Sequence, residues 1–241
     1  MTILTFNIRN GLAKDGINSW ENRKNLTAKT IQEAQADIIG LQEVYDFQLE
    51  YLLIQLPEYQ CYSIGREDGA SAGEHCSILW RKDSFHQTLG GTFWLSETPN
   101  IPNSSTWGNR ITRICSWVEF DEGFRIYNTH WDHESQQSRV NSAELTLQVL
   151  PSTPWILLGD FNAEPDSVEL QFLAKAPNID FVTRDNLIGT FHNFQGGTDG
   201  DRIDHVFVSK GIKTGPIKVI TTGEGNLFPS DHYPIVLEVT L

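Results

Sequence analysis

The sequence predicts an α/β fold in which layers of β-strands are flanked by helices. Three observations carry that prediction. Short apolar runs rich in β-branched and aromatic residues recur from one end of the chain to the other, helical periodicity appears only between them, and turn residues bound nearly every run. Strand and helix signals interspersed in this way are satisfied by sheets covered with helices.

The first strand is TILTFNI at 2–8. It alternates like a strand and lacks both a basic flank and a small-residue cleavage site, so it is expected to be a core strand rather than a signal peptide. Helical spacing follows at 20–35, with Leu26, Thr30, Ile31 and Ala34 on one stripe and Asn22, Arg23, Lys24 and Asn25 expected to face water. DIIGLQEV (37–44) is the second strand, and 46–56 is a helix apolar along one side. HCSILWR (75–81), TRICSWVEF (112–120) and FRIYNTHW (124–131) read as strands, and 136–150 carries Val140, Ala143, Leu147 and Leu150 at helical spacing. WILLGDFN (155–162) precedes a short helix at 166–175 with Asp166 or Ser167 as its cap, and RIDHVFVS (202–209) and HYPIVLEVT (232–240) complete the strands. Two long irregular stretches, 9–19 and 92–111, are expected to wall a substrate cleft. Linkers, repeats and low-complexity segments are absent, so a single domain over residues 1–241 is expected.

The chain is 241 residues long and 39% hydrophobic, enough for a substantial core. Eighteen basic against 31 acidic residues give a net charge of −13, which weighs against wrapping nucleic acid by bulk charge while leaving room for a local basic patch. Cys61, Cys76 and Cys115 follow no metal spacing and fit a reduced, cytoplasmic chain. No run approaches the ~20 apolar residues that span a bilayer. A soluble monomer without membrane contact is expected.

Polar residues sit where apolar strands end. Asn7 closes the first strand, Glu43 the second and His130 lies late in FRIYNTHW; Asp160 and Asn162 follow WILLG, Asp204 and His205 lie within RIDHVFV, and Asp231 and His232 precede the last strand. Singly, each has a bland explanation as a turn former, helix cap or ion-pair partner. Jointly they would form a costly cluster without a compensating cation or substrate. Glu43 and Asp231 offer hard oxygen ligands and Asn7 a carbonyl oxygen, a donor set suited to Mg²⁺ or Mn²⁺ rather than Zn²⁺. Such a site points to phosphate chemistry.

TFNIR, IIGLQEV, NTHWDH, GDFNAEPDS, RIDHVFV and SDHYP, in this order, resemble the endonuclease/exonuclease/phosphatase superfamily, whose fold is that of deoxyribonuclease I. TFWLSETPN with WGNRITRICSW is similar to a bacterial branch of it. The resemblance spans essentially the whole chain. It implies a four-layer α/β sandwich, two packed and mostly antiparallel sheets flanked by helices, with the active site at one end. It also implies roles. Glu43 would be the principal metal ligand, with Asn7 and Asp231 beside it. Asp160 would orient and deprotonate the attacking water, with Asn162 holding that water or a phosphate oxygen. His232, helped by Asp204, would contact the scissile phosphate, and His130 would stabilise charge or donate a proton. Glu74 would partner His130, and Arg113, or the nearby Arg110, would reach phosphate oxygens. In HWDHE, strand alternation sets His133 away from His130 and Asp132, which speaks against a second metal site. His75, His86, His192 and His205 read as structural or exposed.

The expected activity is therefore metal-dependent hydrolysis of phosphoesters, by in-line attack of water on phosphorus. A nucleic acid is one substrate, with Arg9, Lys14, Arg23, Arg66, Arg110 and Arg113 as a local funnel and Trp20, Trp94, Trp107 and Trp131 available for stacking. The alternative is a small phosphorylated metabolite, sugar or lipid headgroup. A noncatalytic binding module on the same fold would be expected to lack one of the acid or histidine positions, and here all are present.

Overall fold

A strand apolar at every position needs cover on both faces. Ile38–Val44 is buried at every residue except Glu43, and Trp155–Asp160 is buried throughout. The computed structural model, which describes residues 1–241, supplies that cover. Its elements are β1 (Thr2–Asn7), α1 (Trp20–Ala34), β2 (Ile38–Val44), α2 (Asp46–Gln55), β3 (Tyr59–Tyr62), β4 (His75–Arg81), β5 (Gln87–Trp94), β6 (Ile114–Phe120), β7 (Arg125–His130), α3 (Gln136–Val149), β8 (Trp155–Asp160), α4 (Val168–Ala174), β9 (Ile179–Phe181), β10 (Asp204–Ser209), β11 (Lys213–Thr214), β12 (Lys218–Val219) and β13 (Ile235–Thr240).

One sheet runs β11-β13-β1-β2-β4-β3, with β12 also on β13; the other runs β5-β6-β7-β8-β10-β9. Each contains one parallel pair, β1–β2 bridged by α1 and β7–β8 bridged by α3, and every other pairing is antiparallel. Ile3, Ile38, Ile78, Val118, Ile156, Leu158, Val206 and Leu237 fill the space between the sheets. Leu4, Phe6, Ile31, Ile39 and Leu52 join the first sheet to α1 and α2, while Tyr127, Ala143, Leu157, Leu170 and Phe207 join the second to α3 and α4. The result is the four-layer α/β sandwich. No helix is long and apolar enough to cross a membrane.

Three expectations need correction. β3, β5, β9, β11 and β12 carried no strand signal, and the stretch 92–111 begins inside β5. The last-turn boundaries of the helices shift by a residue or two, and Ser167 is the cap of α4, accepting from Leu170 N. Arg23 does not face water. It is 0% exposed, and its guanidinium donates to the carbonyls of Ile8 (2.6 Å), Arg9 (2.8 Å), Asn18 and Pro229 (both 3.0 Å). It thus ties the loop after β1 to the segment leading into β13, and it is not a cleft cation.

Candidate active site

Parallel strands end at the same edge, and their antiparallel neighbours begin there. β1, β2, β7 and β8 deliver Asn7, Glu43, His130 and Asp160 to one end of the sandwich, and β10 and the lead-in to β13 deliver Asp204, Asp231 and His232. The register is direct: His130 pairs with Asp160, and Asp160 pairs with Asp204, across three adjacent strands. The backbone bends to present these groups. Arg9, Glu43 and Asn162 occupy the left-handed region at φ 56°, 60° and 48°, and β2 carries a register irregularity between Leu41 and Val44. Such conformations cost about 1–3 kcal/mol each and gather at functional sites.

Glu43, His130, Asp160, Asn162, Asp231 and His232 line a cleft of about 500 Å³ whose walls also include Arg9, Arg66, Glu74, Arg113 and His133, with Asn7 and Asp204 behind them. Asp160 is its hub. Oδ2 accepts from Asn7 Nδ2 (2.9 Å) and lies 3.4 Å from His130 Nε2 and 3.8 Å from His232 Nε2. Oδ1 accepts from Asn162 N at 2.9 Å in a tight Asx turn. Burial and the neighbouring Asp204 push the Asp160 carboxyl up to about 7, against His232 and the two hydrogen bonds. Burial pulls His232 down, but Asp204, hydrogen-bonded at Nδ1 (2.8 Å), reverses this and takes the imidazole up to about 10. His130 is held neutral, well below its ordinary value, by burial and the nearby Arg113. At neutral pH the site therefore holds one imidazolium, one neutral imidazole and a carboxyl near its titration midpoint.

Glu43 faces the same cleft. Its oxygens accept from Asn7 Nδ2 (3.1 Å) and Asn10 N (2.8 Å). Burial would raise its pKa, but Arg9 and the Asn10 N–H win and keep it low. Asp231 is raised by burial, with Arg9 Nε 3.5 Å from Oδ2. Two carboxylates opening on the cleft, that of Asp231 buried and raised by its burial, fit a hard divalent cation. Asp160, Asp204 and His232 also place ligand atoms within 4.8 Å of one another. We read that trio as a proton network, because Asp204 is hydrogen-bonded to His232 and reaches the cleft only through it.

Asn7, Glu43, His130, Asp160, Asn162, Asp204, Asp231 and His232 are all brought together at this end. Some expected details differ. Asn7 turns Nδ2 toward Glu43 and Asp160 while Oδ1 accepts from Arg9 N (3.0 Å), so it presents donors, not a ligand oxygen. Glu74 lines the cleft but makes no hydrogen bond to His130; it pairs with Arg66 Nη1 at 2.6 Å and accepts from Asn10 Nδ2 at 3.4 Å. His133 is not turned away: β7 stops at His130, alternation ends with it, and His133 enters the cleft wall beside Arg113 Nη2 (2.9 Å). Asp132 is spent on the N–H groups of Glu134 and Ser135. Arg113 lines the cleft, whereas Arg110 pairs on the surface with Glu134. His75, His192 and His205 are packed within the fold and His86 is exposed.

Sequence reasoning missed Ser230, whose hydroxyl donates to Asn7 O (2.7 Å) and contacts Asp231 Oδ1 (3.1 Å), clamping the lead-in to β13 onto β1. Its signal was a serine before an acid in a loop, which favours a local turn. Phe191 and Ile203, which add apolar wall, had no signal.

Residues 4–232 match the model of the Endonuclease/Exonuclease/phosphatase family. Among solved structures, a mannosyl-6-phosphatase of Bacteroides thetaiotaomicron is 33% identical with a TM-score of 0.91, covering 100% of both chains. An endonuclease/exonuclease/phosphatase of Bacteroides vulgatus is 29% identical with a TM-score of 0.93, covering 100% of this chain and 98% of that one. An uncharacterized protein of Acanthamoeba polyphaga mimivirus is 28% identical over 236 residues, 86% of this chain and 87% of its own length.

Proposed function

The chain belongs to the endonuclease/exonuclease/phosphatase family, and on that premise we propose that it is a Mg²⁺- or Mn²⁺-dependent phosphoesterase acting on a small phosphorylated metabolite. The observation that carries the reading is the buried array of His130, Asp160, His232 and Asp204 beside Glu43 and Asp231. Glu43 and Asp231 would hold the ion, which when bound neutralises charge on the phosphate oxygens. Asp160 takes a proton from the attacking water, a task suited to a carboxyl near 7. The water oxygen forms its bond to phosphorus as the ester P–O bond breaks, and the departing alkoxide takes a proton from solvent at the cleft mouth. His232, as imidazolium, and Arg113 stabilise the charge that accumulates on the non-bridging oxygens. His130, neutral, donates an N–H without adding charge, and Asn7 and Asn162 hold Asp160 in place.

Charge favours a small substrate over nucleic acid. Of the arginines lining the cleft, Arg9 is paired with Asp15 and Arg66 with Glu74, which leaves Arg113 as the guanidinium free for an anion. One free guanidinium suits one phosphate group, whereas a polynucleotide track needs many. The net charge of −13 and the likeness to a mannosyl-6-phosphatase point the same way. A screen of sugar phosphates, nucleotides, DNA and p-nitrophenyl esters with Mg²⁺, Mn²⁺ or EDTA tests this. Turnover of monophosphates that EDTA abolishes and either metal restores is expected; failure of every ester to react with both metals would sink the reading.

A further inference from the structure

Beside the cleft lies a second hollow of about 270 Å³, which shares Arg66 and Ile111 with it. Two loops form this hollow, 65–73 and 95–112, and both are pinned. Trp94 Nε1 donates to Arg66 O at 2.7 Å, and Asn109 Nδ2 donates to Ile111 O at 2.7 Å. Asn103 sits on the wall in the left-handed conformation at φ 61°, and its Oδ1 accepts from Thr112 Oγ1 at 3.0 Å. With its oxygen engaged, Asn103 lines the hollow with an Nδ2 that makes no hydrogen bond within the protein.

The charges here are balanced. Arg66 is paired with Glu74 and Arg110 with Glu134, so the two guanidinia bring no net positive charge, and Glu67 adds a carboxylate acceptor. A second anion would find no free cation to meet it. An amide, a hydroxyl and a carboxylate around one hollow, with Ile111 as its single apolar member, match alternating hydroxyl donors and acceptors on a compact carbon frame.

We propose that this hollow is a leaving-group subsite for a hydroxyl-rich alcohol, with Asn103 and Glu67 as its specificity-determining residues. The proposal rests on the phosphoesterase reading above. It predicts that the enzyme prefers phosphate monoesters of polyols to aryl monoesters, a preference located in two loops that carry no reacting group.

The test compares a hexose 6-phosphate, a hexose 1,6-bisphosphate and p-nitrophenyl phosphate in the full chain with Mg²⁺. Asn103→Asp keeps the acceptor for Thr112 but removes the donors, and Asn103→Gly tolerates the positive φ while removing the side chain. In both, the ratio of kcat/KM for the hexose 6-phosphate to that for p-nitrophenyl phosphate should fall about threefold to tenfold, the range for one or two neutral hydrogen bonds, with the change in KM. An unchanged ratio in both variants would overturn the subsite. So would a parental preference for the bisphosphate, which would make the hollow an anion site. If the parent hydrolyses none of the three esters while another ester of the wider screen reacts, the subsite is overturned and the phosphoesterase reading stands; if nothing in that screen reacts with either metal, both fall.

Discussion

Arg113→Met should leave the protein as stable as the parent or more so, while removing most of its affinity for phosphate. The side chain is 4% exposed, yet it has no ion-pair partner of its own: Nη2 contacts His133 Nδ1 at 2.9 Å and Nε has no partner. Glu74, Glu43 and Asp160 attract it only at longer range, and burial pulls the guanidinium below its ordinary value. A buried cation bears a desolvation penalty of several kcal/mol, and replacing buried charge by an apolar side chain of similar volume is often neutral or stabilising by about 1–4 kcal/mol. Each charge-assisted hydrogen bond to a phosphate oxygen is worth about 1.5–3 kcal/mol, so losing one weakens binding roughly tenfold to 150-fold. Urea unfolding gives the first quantity, and competitive inhibition of p-nitrophenyl phosphate turnover by inorganic phosphate gives the second. Arg113→Lys, which keeps the charge without the fork, should fall between. A loss of more than about 2 kcal/mol of stability with the inhibition constant for phosphate unmoved would make Arg113 a strut for His133 and refute the reasoning.

Other outcomes follow from the same geometry. Asp204 acts through its hydrogen bond to His232 and through its charge beside Asp160, so Asp204→Asn and His232→Gln should each lower kcat about 10²–10³-fold, and Asp204→Asn should cost less in the His232→Gln background than in the parent; fully additive losses would show that the hydrogen bond to His232 carries none of the effect. His205 is a stability switch away from the chemistry: its Nε2–H donates to Ala163 O at 2.9 Å and its Nδ1 faces the Thr183 hydroxyl at 3.1 Å. Burial dominates there and lowers the imidazole to about 4, so the unfolded chain binds a proton that the folded one refuses between about 6.5 and 4. That contribution is fully present above about 6.5 and is lost as the pH falls, amounting to about 2 kcal/mol between pH 7 and 4.5. His205→Gln should flatten that part of the parent's pH-dependent urea stability, and an equal pH slope in parent and variant would refute the assignment.

The strands that carry the site were legible because they are covered on both faces. β1, β2, β7, β8, β10 and β13 read as apolar runs, and a polar residue ending such a run is costly enough to stand out. β5 did not stand out: it is an edge strand with Gly90 and Gly91 at its centre and four exposed residues at its start, so burial left no pattern in it. Arg23 was misread because helical periodicity assigns arginine to water, whereas here four backbone carbonyls from two distant loops converge on it. The pairing of Glu74 with Arg66 depends on a loop closed by the bridge between Gly65 and His75, and no linear spacing encodes that closure. The orientation of the Asn7 amide is set by the backbone N–H of Arg9, itself placed by a left-handed residue. Such details are consequences of backbone path, which composition does not carry.

Neither sheet owns the site. Asn7, Glu43, Asp231 and His232 come from the first sheet and its loops, and His130, Asp160 and Asp204 from the second, so a slide of one sheet over the other would pull the Asn7–Asp160 hydrogen bond (2.9 Å) apart. Apolar packing alone specifies such a slide weakly, because it is non-directional. Directional bonds placed just behind the site supply the missing restraint. Asn128, two residues before His130, donates to the carbonyls of Leu41 (2.9 Å) and Ser77 (2.8 Å) in the opposite sheet and accepts from Gln42 Nε2 (2.7 Å), the neighbour of Glu43. Gly40 permits this approach, since a Cβ there would lie 2.0 Å from Leu158 Cδ1 and 3.1 Å from Asn128 Cγ. The arrangement leaves Gln42 Oε1 buried without a partner, a cost of about 1–3 kcal/mol. An apolar contact would avoid that cost. Its persistence one residue from Glu43 makes sense if sheet register, rather than stability, is what those side chains secure.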